Sequence, residues 1–404
     1  MKKRNENLET AYCKFWFAYC FSILGRLVHG MALSWVVWRL TASPLWLSAI
    51  ALLSAIPSLP LAPIAGQVAD RFHRYQILLI TQTLGCGVAA ITAYLSYHEQ
   101  LSPWVLATLA LLFGIISSVD GPAMNSMLVE TGKNVMRAVA QQSLAMNVSR
   151  VIAPMIAVFI IEVASPTWCF VLNTGCFIPM ILFMAFIKIP NRASDKERVE
   201  SVSMSFWELF HRYKILKEVL PQVACLSVFI MPAVSLLPAI SIEDSALLSF
   251  GSMSSGLGFG AVASAILMQK EKLFFTRLTT LLASSWVCCI AFAVLPTLNT
   301  LISQWLCASI AGASLTLALA SANNAIQNQA PNMYRGRFSA MYLAVLLGLV
   351  PVGQLILGIS AEILSPQLAV RGCAIFALVL LVICAYFSNW NQSGTNPNAK
   401  ENDT

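Results

Sequence analysis

Long apolar runs alternate with short polar segments along the whole chain. Each run is about as long as the 17–25 residues that an α-helix needs to cross a bilayer. Polar and apolar residues do not alternate within the runs, which favours helices over the strands of a membrane barrel. The pattern predicts an all-α membrane protein with about twelve transmembrane helices. The predicted spans are residues 15–38, 44–65, 75–97, 103–127, 138–161, 167–187, 219–240, 249–268, 278–296, 300–326, 338–361 and 366–387.

The composition supports a membrane protein and argues against a nucleic-acid-binding one. Charged residues make up 11% of the chain and apolar residues 58%, with a mean hydropathy of +0.73. A typical soluble domain is about 25% charged. The net charge is +7, but the basic residues are spread over many short segments and do not form one patch beside aromatic residues.

The positions of the basic residues predict the orientation of the helices. If both termini are cytoplasmic, every predicted inner segment contains Lys or Arg, and the outer segments hold only Arg39 and Arg371. This asymmetry is the positive-inside pattern. The basic start of the chain precedes an apolar run longer than the core of a signal peptide, so we predict that the first helix is not cleaved. The eleven cysteines contain no Cys-x-x-Cys pair and are predicted to be small buried residues, with no metal site.

A charged segment divides the chain into two halves of six helices. The predicted organisation is an N-terminal half at 1–188, a cytoplasmic linker at 189–218, a C-terminal half at 219–388 and a cytoplasmic tail at 389–404. In the linker, Ser205 and Glu208 have the spacing of a capping box. The aromatic residues that follow Ser205 predict an amphipathic helix on the inner leaflet. Two six-helix halves with a site between them are typical of secondary transporters.

Several segments resemble a known transporter family. GQVADRFHR (66–74) resembles the Gly-x-x-x-Asp-Arg-x-x-Arg signature of the major facilitator superfamily, although His73 and Tyr75 depart from its usual pattern. Four further segments resemble one branch of that superfamily, the enterobactin exporter and related drug and siderophore effluxers. They are ALSWVVWRLTASPLWL (32–47), VDGPAMNSML (119–128), NVSRVIAPMIA (147–157) and NNAIQNQAPNMYRGRFSAMY (323–342). The resemblance runs from about residue 12 to 375 and implies the major facilitator fold.

The signature also implies a latch between the loop after helix 2 and the start of helix 11. Gly66 would let two helices approach closely, and the Asp70 carboxylate would accept hydrogen bonds from the amide end of helix 11. Ordinary positive-inside anchoring is the alternative reading of the basic residues. The predicted gating set is Gly66, Asp70, Arg71, Arg74, Arg335 and Arg337.

Charged residues deep in the predicted helices are functional candidates because they are costly in a membrane. Asp120 and Arg150 lie in sequential helices and are predicted to form an ion pair, with a structural and a transport role both open. Arg26 has no evident partner, which predicts that it faces water or binds an anion. His29 lies three residues after Arg26 and is a candidate proton carrier, with a simple hydrogen-bonded histidine as the alternative. The coupling candidates are therefore Asp120, Arg150 and His29.

Amide side chains at membrane depth complete the candidate site. They would face either the cavity or another helix, where hydrogen bonding between helices is the alternative role. Together with Arg26, the predicted substrate-binding residues are Asn147, Asn173, Asn323, Gln327 and Gln354.

These features predict a transporter and not an enzyme. The chain has no His-Glu-x-x-His and no nucleotide-binding P-loop, so we expect no cofactor and a proton gradient as the energy source. The resemblance implies efflux of a small organic compound from a bacterial inner membrane. Because Arg26 and Arg150 outnumber Asp120, we expect this compound to be an anionic metabolite such as a siderophore. An importer of the same fold, a multidrug efflux pump and a sensor that kept the fold are the alternatives. The expected partners are a small-molecule substrate and membrane lipid, with no nucleic acid, and the expected state is a monomer.

Overall fold

The computed structural model describes residues 2–61, 73–131, 135–186, 206–270, 278–331 and 333–393. These ranges are almost entirely helical and contain no strand. Within these described ranges, twelve helical spans are long and apolar enough to cross a membrane, which confirms the predicted number. In the N-terminal half the helices are α1 (Lys2–Thr41), α2 (Pro44–Ala55), α3 (Arg74–Tyr97), α4 (Pro103–Thr131), α5 (Val135–Val163) and α6 (Pro166–Phe186).

The C-terminal half follows a short connecting helix (Phe206–Arg212). Its helices are α7 (Lys214–Cys225), α8 (Ala246–Lys270), α9 (Leu278–Val294), α10 (Leu301–Gln329), α11 in two segments (Arg335–Gly348 and Val350–Ile363) and α12 (Pro366–Ser393). The connecting helix buries Leu209 and exposes Trp207, as an amphipathic helix should. Ser205 lies outside the described residues, so the capping box and the placement on the inner leaflet stay predictions.

The Ser-Pro pairs mark the starts of helices. Ser43 accepts a hydrogen bond from the Trp46 amide and Pro44 is the first residue of α2. Ser102 and Ser365 accept similar bonds ahead of α4 and α12. A serine cap followed by proline suits a helix start, because the proline lacks an amide hydrogen where no intrahelical acceptor exists. These turns lie at the end of the bundle that we call the distal end, opposite the end where residues 2 and 393 lie.

α7 and α11 are irregular where they face each other. α7 continues through a π-helical turn (Leu226–Ile230) and a 3-10 segment (Met231–Leu236) that contains Pro232. α11 is interrupted at Leu349, ahead of Pro351. The Ser235 hydroxyl donates to Gln354 Oε1 at 2.9 Å across this contact. Prolines in both helices account for the breaks, because each removes a backbone donor.

The most extensive contacts between the halves are made by two pairs of helices, α2 with α11 and α5 with α8. Glycine allows the close approach in both pairs. A Cβ atom at Gly258 of α8 would lie 2.5 Å from the backbone oxygen of Arg150, and one at Gly358 of α11 would lie 2.6 Å from Ser48 Cβ. Small residues at helix contacts are the usual means of close packing in membranes. The space between the halves is therefore bounded by these two contacts.

Candidate functional site

A cavity of about 480 Å³ lies between the two halves. It is lined by α1 and α5 from the N-terminal half and by α7, α8 and α10 from the C-terminal half. Its described polar lining consists of Arg26, Ser34, Arg150, Ser254 and Thr316. No Asp or Glu is among the described residues that line it. The cavity is within the range of about 300–1,000 Å³ that is usual for small-molecule sites.

Arg26 of α1 is held at the cavity wall by Asp120 of α4. Arg26 Nη1 donates to Asp120 Oδ2 at 3.1 Å, and the side chains are 25% and 3% exposed, respectively. The other carboxylate oxygen of Asp120 accepts from Thr81 Oγ1 and Gln82 Nε2, each at 2.8 Å. The buried carboxylate is thus charge-balanced and hydrogen-bonded, while the guanidinium group reaches the cavity.

The predicted Asp120–Arg150 ion pair is therefore wrong for this structure, and Arg26 has the partner that the sequence did not reveal. The reason is the order of helices in the bundle. α4 packs on α1, α2 and α3, whereas α5 packs mainly on α1 and on α8 of the other half. Consecutive helices in the chain need not present their polar faces to each other.

Arg150 also lines the cavity, and its side chain is exposed. No ion-pair or hydrogen-bond partner for it occurs within the ranges that the structure describes. Because Arg26 and Asp120 balance each other, Arg150 leaves the region about one unit positive. An unpaired guanidinium in a weakly polar site attracts an anion strongly.

His29 lies away from the cavity lining. It is buried, with its ring stacked on Phe113 at 5.5 Å and packed edge-on against Phe170 at 4.9 Å. Its Nδ1 atom has no hydrogen-bond partner among the described residues. Arg26 thus reaches the cavity, whereas His29, three residues later on α1, is not among the described lining residues. A role in proton coupling stays a prediction.

The amide side chains are not brought to the cavity either. Asn173 is fully buried beside Gly25 of α1, and Gln354 accepts from Ser235. Gln327 donates to Asn323 at 3.0 Å within α10, and Asn147 is half-buried on α5. None of these amides is among the described lining residues. Their role in substrate binding stays a prediction.

The polar lining that sequence reasoning missed consists of small hydroxyl side chains. Ser34 follows Arg26 and Gly30 at spacings of four residues, which places all three on one face of α1. Ser254 and Gly258 have the same spacing on α8. This regular repetition of small residues was the available signal, but serine is too common in membrane helices for the pattern to stand out.

The predicted latch falls mostly outside the described part of the chain. Gly66, Asp70 and Arg71 are not among the described residues, and Arg74 is the first residue of α3. Arg335 and Arg337 lie in the first turn of α11, at the end of the bundle that also holds residue 2. The latch therefore stays a prediction.

A contact at the distal end joins the halves through a carboxylate. Glu362 Oε2, at the end of α11, accepts from Ser43 Oγ at 2.8 Å and from the Leu45 amide at 3.2 Å. A carboxylate is favoured there because the N-terminus of α2 presents unpaired amides and positive dipole charge. Glu162 has the same position relative to the following Ser-Pro pair at the end of α5, but its carboxylate makes no hydrogen bond within the described ranges. Sequence reasoning did not identify this contact.

Twelve membrane helices in two halves, with a cavity between them, define a transporter of the major facilitator type. A family model described as transmembrane secretion effector, within that superfamily, matches residues 8–402. The chain belongs to this family, and the resemblance noted from the sequence is confirmed. Because the family and its relatives are transporters, the protein is an integral membrane transporter.

Two relatives and two solved structures illustrate the similarity. The chain is 23% identical over 393 residues to the staphyloferrin A transporter of Staphylococcus aureus (strain NCTC 8325 / PS 47), covering 93% of this chain and 96% of that protein. It is 30% identical over 184 residues to the MFS-type transporter YfiS of Bacillus subtilis (strain 168), 43% of each.

Solved transporters share the fold at low sequence identity. The nucleoside transporter NupG matches with a TM-score of 0.75 and 13% identity, over 93% of this chain and 98% of that chain. A bacterial homologue of the iron transporter ferroportin, in an inward-facing state, matches with a TM-score of 0.66 and 12% identity, over 93% and 98%. These matches confirm the two-half, twelve-helix architecture.

Proposed function

We propose that this protein is a secondary active transporter of a bacterial cytoplasmic membrane that exports a small organic anion, such as a carboxylate-bearing siderophore. The observation that carries the proposal is the unpaired Arg150 side chain in the cavity between the halves. The cavity has positive charge and, among its described lining residues, no acidic group. A carboxylate there would replace water with a charge-assisted hydrogen bond.

The same charges disfavour a lipophilic cation as cargo. Two like unit charges about 4 Å apart repel each other by about 4 kcal/mol at an effective dielectric constant of 20. That energy corresponds to roughly three powers of ten in affinity. A pump for cationic drugs would need an acidic group facing the cavity, and Asp120 is already paired with Arg26.

The description of this chain's family and the name of one relative support export. Its family is described as secretion effectors, and one relative is named as a transporter of staphyloferrin A. The family description is the reason why we propose outward transport. The name of the relative describes another protein and is the reason why we propose a compound of this kind.

Asp120 is the proposed site of proton coupling. Its protonation would release Arg26, which is then free to bind an anion, so the proton and the anionic cargo would favour each other's binding. Efflux driven by a proton gradient, as expected from the sequence, requires instead that the proton and the cargo weaken each other's binding. Export of a multiply charged anion would instead draw on the membrane potential, about 2.3 kcal/mol per charge per 100 mV. The mutual enhancement of proton and anion binding also favours a second candidate function, import of the anion together with a proton.

Binding to purified protein in lipid nanodiscs tests the cargo class. We expect wild-type protein to bind organic carboxylates and not tetraphenylphosphonium, and Arg150→Gln to bind neither. Arg371→Gln is the matched control. Arg371 is an exposed arginine on α12, and no described residue of α12 lines the cavity. Tight binding of the cation that Arg150→Gln leaves unchanged would refute the proposal. Flux in vesicles of known orientation, with the membrane potential and the pH gradient imposed separately, distinguishes export from import.

A further inference from the structure

The two walls of the central cavity differ in chemistry. The wall from the N-terminal half carries both guanidinium groups, Arg26 and Arg150. The wall from the C-terminal half is apolar apart from the hydroxyls of Ser254 and Thr316. Its apolar members include Met231, Val234, Leu237, Phe250, Leu257 and Leu315.

This asymmetry restricts where charge on a cargo can be placed. A carboxylate turned toward the apolar wall would lose its hydration without gaining a charged partner, which is costly. The amides that would have supplied extra donors lie outside the described lining. A cargo with acidic groups at all its ends therefore fits this cavity poorly.

We infer that the cargo is an amphiphilic organic anion, with one acidic end and an apolar body. The acid would lie against α1 and α5, and the body against α7, α8 and α10. This inference rests on the proposed function and narrows it from organic anions in general to one class of them.

Phe250 of the apolar wall is held in place by an aromatic contact. Its ring stacks on Trp35 of α1, with ring centroids 6.4 Å apart and planes 13° apart, and both side chains are buried. Phe250 is among the described lining residues and Trp35 is not. A side chain fixed in this way loses little entropy when an apolar body packs against the wall. A ring or a short hydrocarbon chain is such a body.

A cargo of this shape would contact both halves at once. Its acid would bind residues of the N-terminal half, and its body would bury apolar surface of the C-terminal half. Binding would then be strongest when the halves close around the cargo, so cargo would shift the populations of open and closed states.

Three probes of equal size test the inference in nanodiscs. They are 4-phenylbutyrate, its uncharged isostere 4-phenylbutyramide, and tricarballylate, which carries three carboxylates and no apolar body. We expect displaceable binding of phenylbutyrate to be at least roughly tenfold tighter than that of phenylbutyramide, since one charged hydrogen bond contributes about that factor. It should also be tighter than that of tricarballylate, because the further carboxylates of tricarballylate would lose hydration at the apolar wall. Arg150→Gln should remove the difference between the acid and the amide.

The isosteric change Val234→Thr tests the apolar wall without altering its shape. We expect it to weaken phenylbutyrate binding several-fold and to leave tricarballylate binding unchanged. Tighter binding of tricarballylate than of phenylbutyrate by wild type would overturn the amphiphilic cargo and leave the proposed anion transport intact. If phenylbutyrate and phenylbutyramide bound equally and tricarballylate did not bind, negative charge would contribute nothing to binding. That result would contradict the proposed function as well.

Discussion

The two halves of this transporter bury different chemistry in the membrane. The N-terminal half places Arg26, Asp120 and Arg150 within its spans, whereas the spans of the C-terminal half carry charge only near their ends. Residues 278–334, for example, contain no charged side chain. Among the described side chains of the C-terminal half, some form neutral pairs, such as Ser249 with Gln304 at 2.6 Å. Two halves of similar helix order have therefore specialised, one in charge and the other in apolar surface.

The largest expected effect comes from breaking the ion pair in the charged half. Arg26→Leu would leave Asp120 buried without its counter-charge, and we expect the free energy of unfolding to fall by roughly 3–5 kcal/mol. Thermal unfolding in detergent measures the change. The double change Arg26→Leu with Asp120→Leu should restore most of the stability, because no uncompensated charge remains. Equal stability of Arg26→Leu and wild type would show that the pair does not hold this half together.

The distal contact between the halves should give an intermediate effect. Glu362→Ala removes two hydrogen bonds to a carboxylate, and a net loss of about 1 kcal/mol would shift the balance toward distal opening about fivefold. Labelling of Ser34→Cys by an impermeant maleimide from the distal side, corrected for the native cysteines, measures that opening. Glu162→Ala is the matched control, and Ser34→Cys should be labelled at the same rate with and without this change. Identical labelling of the two variants would mean that the Glu362 contact does not restrain the halves.

The smallest effect is expected in the uncharged half. Gln354→Leu removes the neutral hydrogen bond from Ser235, whose single hydroxyl proton also has the Pro232 carbonyl, at 2.7 Å, as an alternative acceptor. We expect the free energy of unfolding to change by about 0.5–1.5 kcal/mol and the affinity for an organic anion to stay the same. An affinity loss without a stability change would make Gln354 a cargo ligand, as the sequence first suggested.

The fold was readable from the sequence because run length and charge deficit are properties of each segment by itself. The predicted spans therefore agree with the helices even in α7 and α11, whose breaks lie at prolines. α7 begins at Lys214, five residues before the predicted span, and Lys214 pairs with Glu218 at 3.7 Å in its first turn. The predicted division of the chain into halves and linker stays a prediction.

The site was less predictable, because it depends on which helices are neighbours and on how each is rotated. Asp120 bonds Arg26 across 94 positions in the chain, and spacing gives no information about such a pair. Asn173 lies at membrane depth as expected but faces Gly25 and not the cavity. Polar character thus identified residues that are costly to expose to lipid, whereas helix packing decides which of them line the cavity.

The affinity of Asp120→Asn for an organic anion is the most direct test of how the charged half governs the cargo. We predict that this variant binds 4-phenylbutyrate more tightly than wild type, because the Arg26 guanidinium is released from its carboxylate partner. Equal or weaker binding of 4-phenylbutyrate by the variant would contradict control of cargo binding by this pair.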